Sequence, residues 1–262
     1  VPKEWADKYK GKFDDGWDAL RERTFARQKE LGVIPADADL TERHAELPAW
    51  DEMAEELKPV LERQMEIYAG FLSHTDHHVG RLLDAIQQLG VMDDTLVYVI
   101  IGDNGASAEG TLQGTFNEMI PFNAMGALET PAFMAERLDK FGGPESYNHY
   151  AVGWAHAMDT PYQWTKQVAS HWGGTRNGTI VHWPNGIKAK GEVRSQFCHV
   201  IDIAPTVLEA AVRRSARMAL GYLHGLEDTA TSLRAPSAFL ARLRPGEAST
   251  VEAMIESLRK RG

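Results

Sequence analysis

The stretch Val97-Tyr98-Val99-Ile100-Ile101-Gly102-Asp103-Asn104-Gly105, VYVIIGDNG in one-letter code, breaks off abruptly. Five apolar residues stop at a glycine, a carboxylate, a carboxamide and a second glycine. Two readings fit such an ending. Asp and Asn-Gly are ordinary turn residues that tolerate left-handed backbone. They also offer adjacent hard oxygen ligands at the end of a strand, where a cation can sit. From this stretch alone both readings stay open.

Working outward, the residues before the strand read as a long amphipathic helix running from a start at Pro48-Ala49-Trp50-Asp51-Glu52 to Gly90, with Pro59 as a candidate interruption. Leu61, Met65, Tyr68, Leu72, Val79, Leu82, Leu83 and Ile86 form its apolar stripe, and Gly90 is a natural stop. A turn at Asp93-Asp94 leads into the strand, expected over Leu96 to Ile101. A long helix feeding a continuously apolar strand predicts a parallel sheet covered on both faces. Upstream, residues 1 to 60 are charged and mostly helical in pattern, with Trp17, Leu20, Thr24 and Phe25 on one face before Gly32 and Pro35.

Downstream, residues 106 to 162 mix glycine, proline, aromatics and polar residues, with one helical piece near Ala132 to Phe141. Long excursions of this kind usually build substrate-side loops. A strand closed by proline follows at Gly178 to Pro184, then a strand or turn around Phe197, then a helix start at Asp202. After Ala211 the character changes. Arg213, Arg214 and Arg217 arrive together, and helices are expected at Ser237 to Leu243 and Glu252 to Leu258.

Bulk properties narrow the function classes. With 43% hydrophobic and 25% charged residues among 262, the chain has material for a real core. A formal charge of -9 argues against nucleic acid or an anionic membrane as the main partner. No stretch approaches the apolar length needed to cross a bilayer. The opening Val1-Pro2-Lys3-Glu4-Trp5 does not read as a signal peptide and suggests a processed or truncated chain. The single Cys198 excludes an internal disulfide and a cysteine zinc cluster, and reads as core packing ahead of a nucleophile.

Four pieces together resemble the sulfatase family: the opening from Pro2 to Pro35; the helix with Asp76 and Gly80 leading into Thr95 to Gly105; the run Thr165-Lys166 through Gly173-Gly174-Thr175-Arg176; and Asp202-Ile203-Ala204-Pro205-Thr206. They occur in the family's order over residues 1 to 211, which would form a partial sulfatase catalytic domain; residues 212 to 262 would be a helical tail of no known relationship. The resemblance implies an alkaline-phosphatase-like α/β fold, a mixed sheet flanked by helices and here incomplete. It also implies one divalent cation, usually Ca²⁺, holding the sulfate of a small-molecule sulfate ester. Asp103 and Asn104 match the second pair of cation ligands, and Lys166 matches the lysine that contacts the sulfate and helps the leaving group. The glycine pair stands one residue further on than in the common form, and His171-Trp172 stands where that form has a glutamate. Relatives are commonly exported.

The chemistry agrees with the implied roles. A sulfate monoester needs a strong nucleophile, a cation on the sulfuryl oxygens and a donor near the leaving oxygen. Asn at position 104 weakens the two-zinc phosphatase cousin, which prefers imidazole. The family's nucleophile is a formylglycine made inside a C/S-x-P-x-R motif, and no such motif occurs here. The first aspartate pair, an upstream lysine and upstream histidines also have no counterpart. The expectation is therefore an arylsulfatase-like sulfuric ester hydrolase represented by part of its catalytic domain. A phosphodiesterase or phosphonate hydrolase of the same superfamily and a non-catalytic remnant are the alternatives.

His74, His77 and His78 lie on the long helix and read as surface or buttressing residues. By the resemblance, Asp76 holds that helix against the sheet. His149, His156 and His171 are candidates for the cleft lining, and the Trp and Tyr residues of that region read as packing.

Overall fold

The computed structural model describes residues 1–212; the arginine cluster and the two helices expected in the tail lie outside the described residues. The chain divides into two units, Val1–Val193 and Arg194–Gly262.

The first unit is built around one helix. After the short α1 (Lys3–Ala6) and α2 (Gly16–Glu30), α3 runs from Lys58 to Gln88. It starts later than the sequence predicts: Trp50–Glu52 is a separate 3-10 turn, where the Glu52 carboxylate accepts the Ala49 N–H at 2.7 Å. Pro59 does not interrupt α3. It sits in the first turn, where its missing N–H has no intrahelical partner to lose. Gly90, at φ +71°, takes the left-handed conformation that ends the helix.

The core lies on the first half of α3. Val60, Leu61, Met65 and Ile67 are buried there. Trp17, Trp50 and Trp154 meet edge-on or tilted, with centroids 4.9 to 5.6 Å apart. The Trp154 indole donates to the Leu61 carbonyl at 2.9 Å, so its one polar group is satisfied inside the core. Gly70 lets α1 approach: a Cβ there would lie 2.6 Å from the Ala6 Cα. Gly70→Ala is expected to cost about 1–3 kcal/mol despite alanine's better helix propensity, because backbone must move. Urea unfolding of the variant measures this.

The excursion at 106–162 contains α4 (Met119–Phe122), α5 (Pro131–Ala135), a 3-10 turn at Leu138–Lys140 and α6 (Val152–Met158). The single helical piece expected near 132–141 is thus two. Buried polar side chains organise the region. Gln64 of α3 donates to the Gln113 carbonyl and accepts from Ala151 N–H. The Glu129 carboxylate accepts from the N–H groups of Phe116 and Asn117.

The sheet differs most from expectation. Strand β1 (Val97–Ile100) pairs with β2 (Thr179–His182), separated by the excursion and the short α7 (Trp172–Thr175). The pairing is antiparallel, with Tyr98 opposite Val181 and Val99 opposite Ile180. Among the described residues this is a two-stranded ribbon, so β1 is not a central strand and the parallel, doubly covered sheet is not formed. Both residues of the Ile180-Val181 pair are exposed. The apolar run of β1 reads correctly as a strand, but periodicity carries no information on the partner's direction.

In the second unit a 3-10 turn at Val200–Asp202 leads into helix over residues 203–212. The Asp202 carboxylate accepts from the His199 N–H at 2.8 Å. No strand forms around Phe197 among the described residues, and Cys198 is exposed rather than packed in a core. No helix of the described residues is long and apolar enough to cross a membrane.

Candidate functional site

The chain leaves β1 through Ile101 and Gly102, whose φ of +78° turns it sharply. Asp103 then stands exposed and Asn104 half-buried. The Asn104 carboxamide donates its N–H to Asp103 Oδ1 at 2.7 Å, so one carboxylate oxygen is engaged within the turn.

Gly105 turns inward and is buried. Its N–H donates to the Gly174 carbonyl at 3.0 Å, and a Cβ on it would fall on the Gly173 carbonyl oxygen. The Asp-Asn-Gly turn and the Gly-Gly turn are therefore packed backbone to backbone. One residue on, the Lys166 N–H donates to the Ala106 carbonyl at 2.9 Å. Two motifs about sixty residues apart in sequence form one loop cluster.

Glu109 organises the side chains there. Its carboxylate accepts from Ser107 Oγ at 2.6 Å, Lys166 Nζ at 2.9 Å and Gln167 Nε2 at 3.0 Å. The Ser107 hydroxyl and then the Lys166 ammonium hold its pKa below the usual carboxylate range. Lys166 thus makes its ion pair with Glu109, not with Asp103. Nothing in the sequence beyond a loop glutamate near a serine signals this role.

Asp159 braces the cluster from behind. Its Oδ1 accepts the Ala106 N–H at 2.8 Å, while Oδ2 is buried without a partner. Burial pushes its pKa up to about 7, against the bond from Ala106 and the attraction of Arg21. The Tyr150 hydroxyl accepts the Ser107 N–H at 3.0 Å. Because the folded chain holds a proton on Asp159 that an unfolded chain releases near pH 4, stability falls as pH rises from about 4 through about 7. Asp159→Asn is expected to remove this slope: relative to the variant, the parent chain should lose about 1–3 kcal/mol between pH 5 and 8, allowing for solvent screening. His156 acts in the opposite sense. Burial lowers its pKa to about 4, so its contribution is lost as pH falls from about 6.5 toward 4. Urea titrations of both chains across this range separate the two.

The histidines divide. His149 lies near Glu109, whose pKa it helps to lower, and its ring pairs with the Tyr150 carbonyl at 2.8 Å. His171 is exposed, with its ring 6.1 Å from that of Trp164. His156 corrects the expectation of a cleft-lining residue. It is buried, with Nε2 unpartnered, because it lies on the inner face of α6. On α3, His74 and His77 pack their rings 5.3 Å from Trp5, and His78 pairs with His74.

Asp103 and Asn104 suit a hard cation in donor chemistry. They fall short in number: among the described residues no group of three His, Cys, Asp or Glu side chains could hold a metal ion.

Residues 1–212 match the sulfatase family model. The chain belongs to the sulfatase family. It is 33% identical over 219 residues to an uncharacterized sulfatase of Schizosaccharomyces pombe, covering 80% of this chain and 36% of that protein. It is 29% identical over 215 residues to an arylsulfatase of Klebsiella aerogenes, covering 80% of this chain and 43% of that protein. The chain thus spans less than half the length of these curated relatives. Sulfatases have an alkaline-phosphatase-like α/β fold. The helices and two-stranded sheet of this sulfatase chain are compatible with part of one.

Proposed function

We propose that this chain carries the cation-contacting and sulfate-contacting part of an arylsulfatase-like site, which hydrolyses sulfate monoesters once a nucleophile is provided. The observation that supports this most is the union of the two motifs, with Gly105 bonded to Gly174 and Lys166 bonded to Ala106. In this reading Asp103 and Asn104 would supply two of the oxygen ligands of one divalent cation, Ca²⁺. A bound cation would draw charge from the sulfuryl oxygens. Lys166, its ammonium oriented by Glu109, donates to the ester and stabilises the departing oxygen. Asp159 and Tyr150 keep the turn in register through the Ala106 and Ser107 amides.

Neither Asp103 nor protonated Lys166 is a competent nucleophile toward sulfur. The chain alone should leave 4-nitrophenyl sulfate intact with calcium supplied. Co-expression with a polypeptide bearing a formylglycine motif should produce turnover. There, Asp103→Ala and Lys166→Ala should each lower kcat/KM by about 100-fold or more, the loss typical of a transition-state contact. Turnover by the chain alone that depends on Asp103, or turnover in the assembled system indifferent to both residues, would overturn the reading.

A further inference from the structure

The second half of α3 carries two unlike faces. Leu72, Val79 and Leu83 line one side of the helix. At about 100° of turn per residue, His74, His78 and Arg81 fall on the opposite side. His74 is half-buried beside Trp5 of α1, while His78 and Arg81 are exposed. The imidazole side is thus independent of any contact that the apolar side makes.

The rings on that side are ordered. His74 and His78, one helical turn apart, have their Nε2 atoms 3.1 Å from each other and their planes at 79°. Arg81 meets His78 Nδ1 at 3.0 Å. A guanidinium can only donate, so His78 Nδ1 accepts and the neutral ring keeps its proton on Nε2. That proton is donated to His74 Nε2, which leaves the His74 proton on Nδ1. Trp5 limits the group from α1, with the His74 and His77 rings each 5.3 Å from the indole. His77 is turned to Trp5, and the facing pair is His74 with His78.

The bite of this pair is that of a metal chelate. Two imidazole nitrogens on one tetrahedral Zn²⁺, each about 2.0–2.1 Å from it, stand about 3.3 Å apart. The 3.1 Å seen here needs only a small opening of the rings. Histidines at i and i+4 of a helix are the spacing that brings two rings onto one zinc. Nitrogen donors select a borderline first-row cation over calcium, which takes oxygen. Among the described residues no third His, Cys, Asp or Glu side chain joins them, so water fills the remaining positions.

We propose that His74 and His78 chelate a Zn²⁺ ion through their Nε2 atoms on the solvent side of α3. The ion takes the place of the proton held between the two rings. His78 releases that proton to water and takes one up on Nδ1, so two neutral rings bind with no net proton release. Its Nδ1–H then faces the Arg81 guanidinium, donor against donor, and Arg81 must turn away. Arg81 therefore restrains affinity, through this conflict and through its charge. The site shares no residue with the Asp103–Asn104 pair and stands apart from the proposed function.

Calorimetric titration of the purified full chain with Zn²⁺, in excess calcium, is the test. A saturable site that calcium does not displace is expected. His74→Ala and His78→Ala should each weaken it about tenfold or more, and His77→Ala should bind as the parent does. Arg81→Glu should tighten it about tenfold, because a carboxylate accepts the Nδ1–H that the guanidinium opposes. Alanine suits a helix, so the histidine variants should melt without zinc no earlier than the parent, and lost binding is not lost fold. The proposal is overturned by absence of saturable binding, or by binding that survives both His74→Ala and His78→Ala. Equal weakening in His77→Ala, or weaker binding in Arg81→Glu, would overturn it as well.

Discussion

Arg21→Ala is expected to cost about 3 kcal/mol or more of folding stability, a large share of what a domain of this size possesses. Arg21 lies on the inner face of α2, 4% exposed, one turn beyond Trp17. Its guanidinium donates to the carbonyls of His156 at 2.7 Å, Thr41 at 3.1 Å, Tyr162 at 3.2 Å and Pro161 at 3.3 Å. It also reaches the Thr41 hydroxyl at 2.7 Å. Among the described residues no carboxylate forms an ion pair with it, and Asp159 and Asp18 act on it only through space. Its charge is satisfied by dipoles, including those at the C-terminal end of α6, where a cation is favoured. Desolvation lowers its pKa to about 10, which leaves it protonated at neutral pH. Alanine would orphan several buried carbonyls together and open a cavity. Arg21→Lys should recover only part of the loss, because one ammonium cannot span the fork of acceptors. Urea denaturation of the three chains tests this; equal stability of Arg21→Ala and the parent would refute the arrangement.

The second large effect falls on the site. Gly105→Ala is expected to cost about 3 kcal/mol and to separate the two loops. The new methyl would displace the Gly173 carbonyl, lie 3.1 Å from the Asp159 carboxylate, and break the bond from Gly105 N–H to Gly174. Hydrogen exchange should then accelerate in both 103–109 and 163–176. Gly102→Ala makes the comparison sharp. Its penalty comes mainly from positive φ, about 1–2 kcal/mol, with one tight contact of 3.3 Å to the Asn104 carbonyl oxygen. If Gly105→Ala is no worse than Gly102→Ala, the backbone contact between the motifs is wrong.

Both effects hinge on features that the sequence hides to different degrees. The strand at 97–100, its Asp-Asn ending, the glycine pair at 173–174 and most of α3 were legible, because apolar runs, helical spacing and glycine punctuation are local signals. Arg21 was not. It occupies a core-facing position of α2 in the company of Trp17 and Leu20, where hydropathy alone assigns it to solvent. Glu109, Glu129 and Gln64 were missed for a related reason. Their partners are mostly backbone N–H and C=O groups or residues tens of positions away, and no spacing rule encodes those. The antiparallel ribbon was misread because an apolar strand states only that it wants cover. Here β1 and β2 state that want, and the described residues do not meet it.

We propose that Asp103, Asn104 and Lys166 hold a sulfate ester without cleaving it. Equilibrium dialysis of 4-nitrophenyl sulfate against the purified chain, with calcium or with EDTA, tests this most directly. The expected result is calcium-dependent binding, with a Kd on the order of millimolar because two donors leave most of a calcium shell to water. Binding should be lost in Asp103→Ala and in Lys166→Ala, and the ester recovered intact. Binding that is the same in EDTA, or that survives both substitutions, would contradict that assignment.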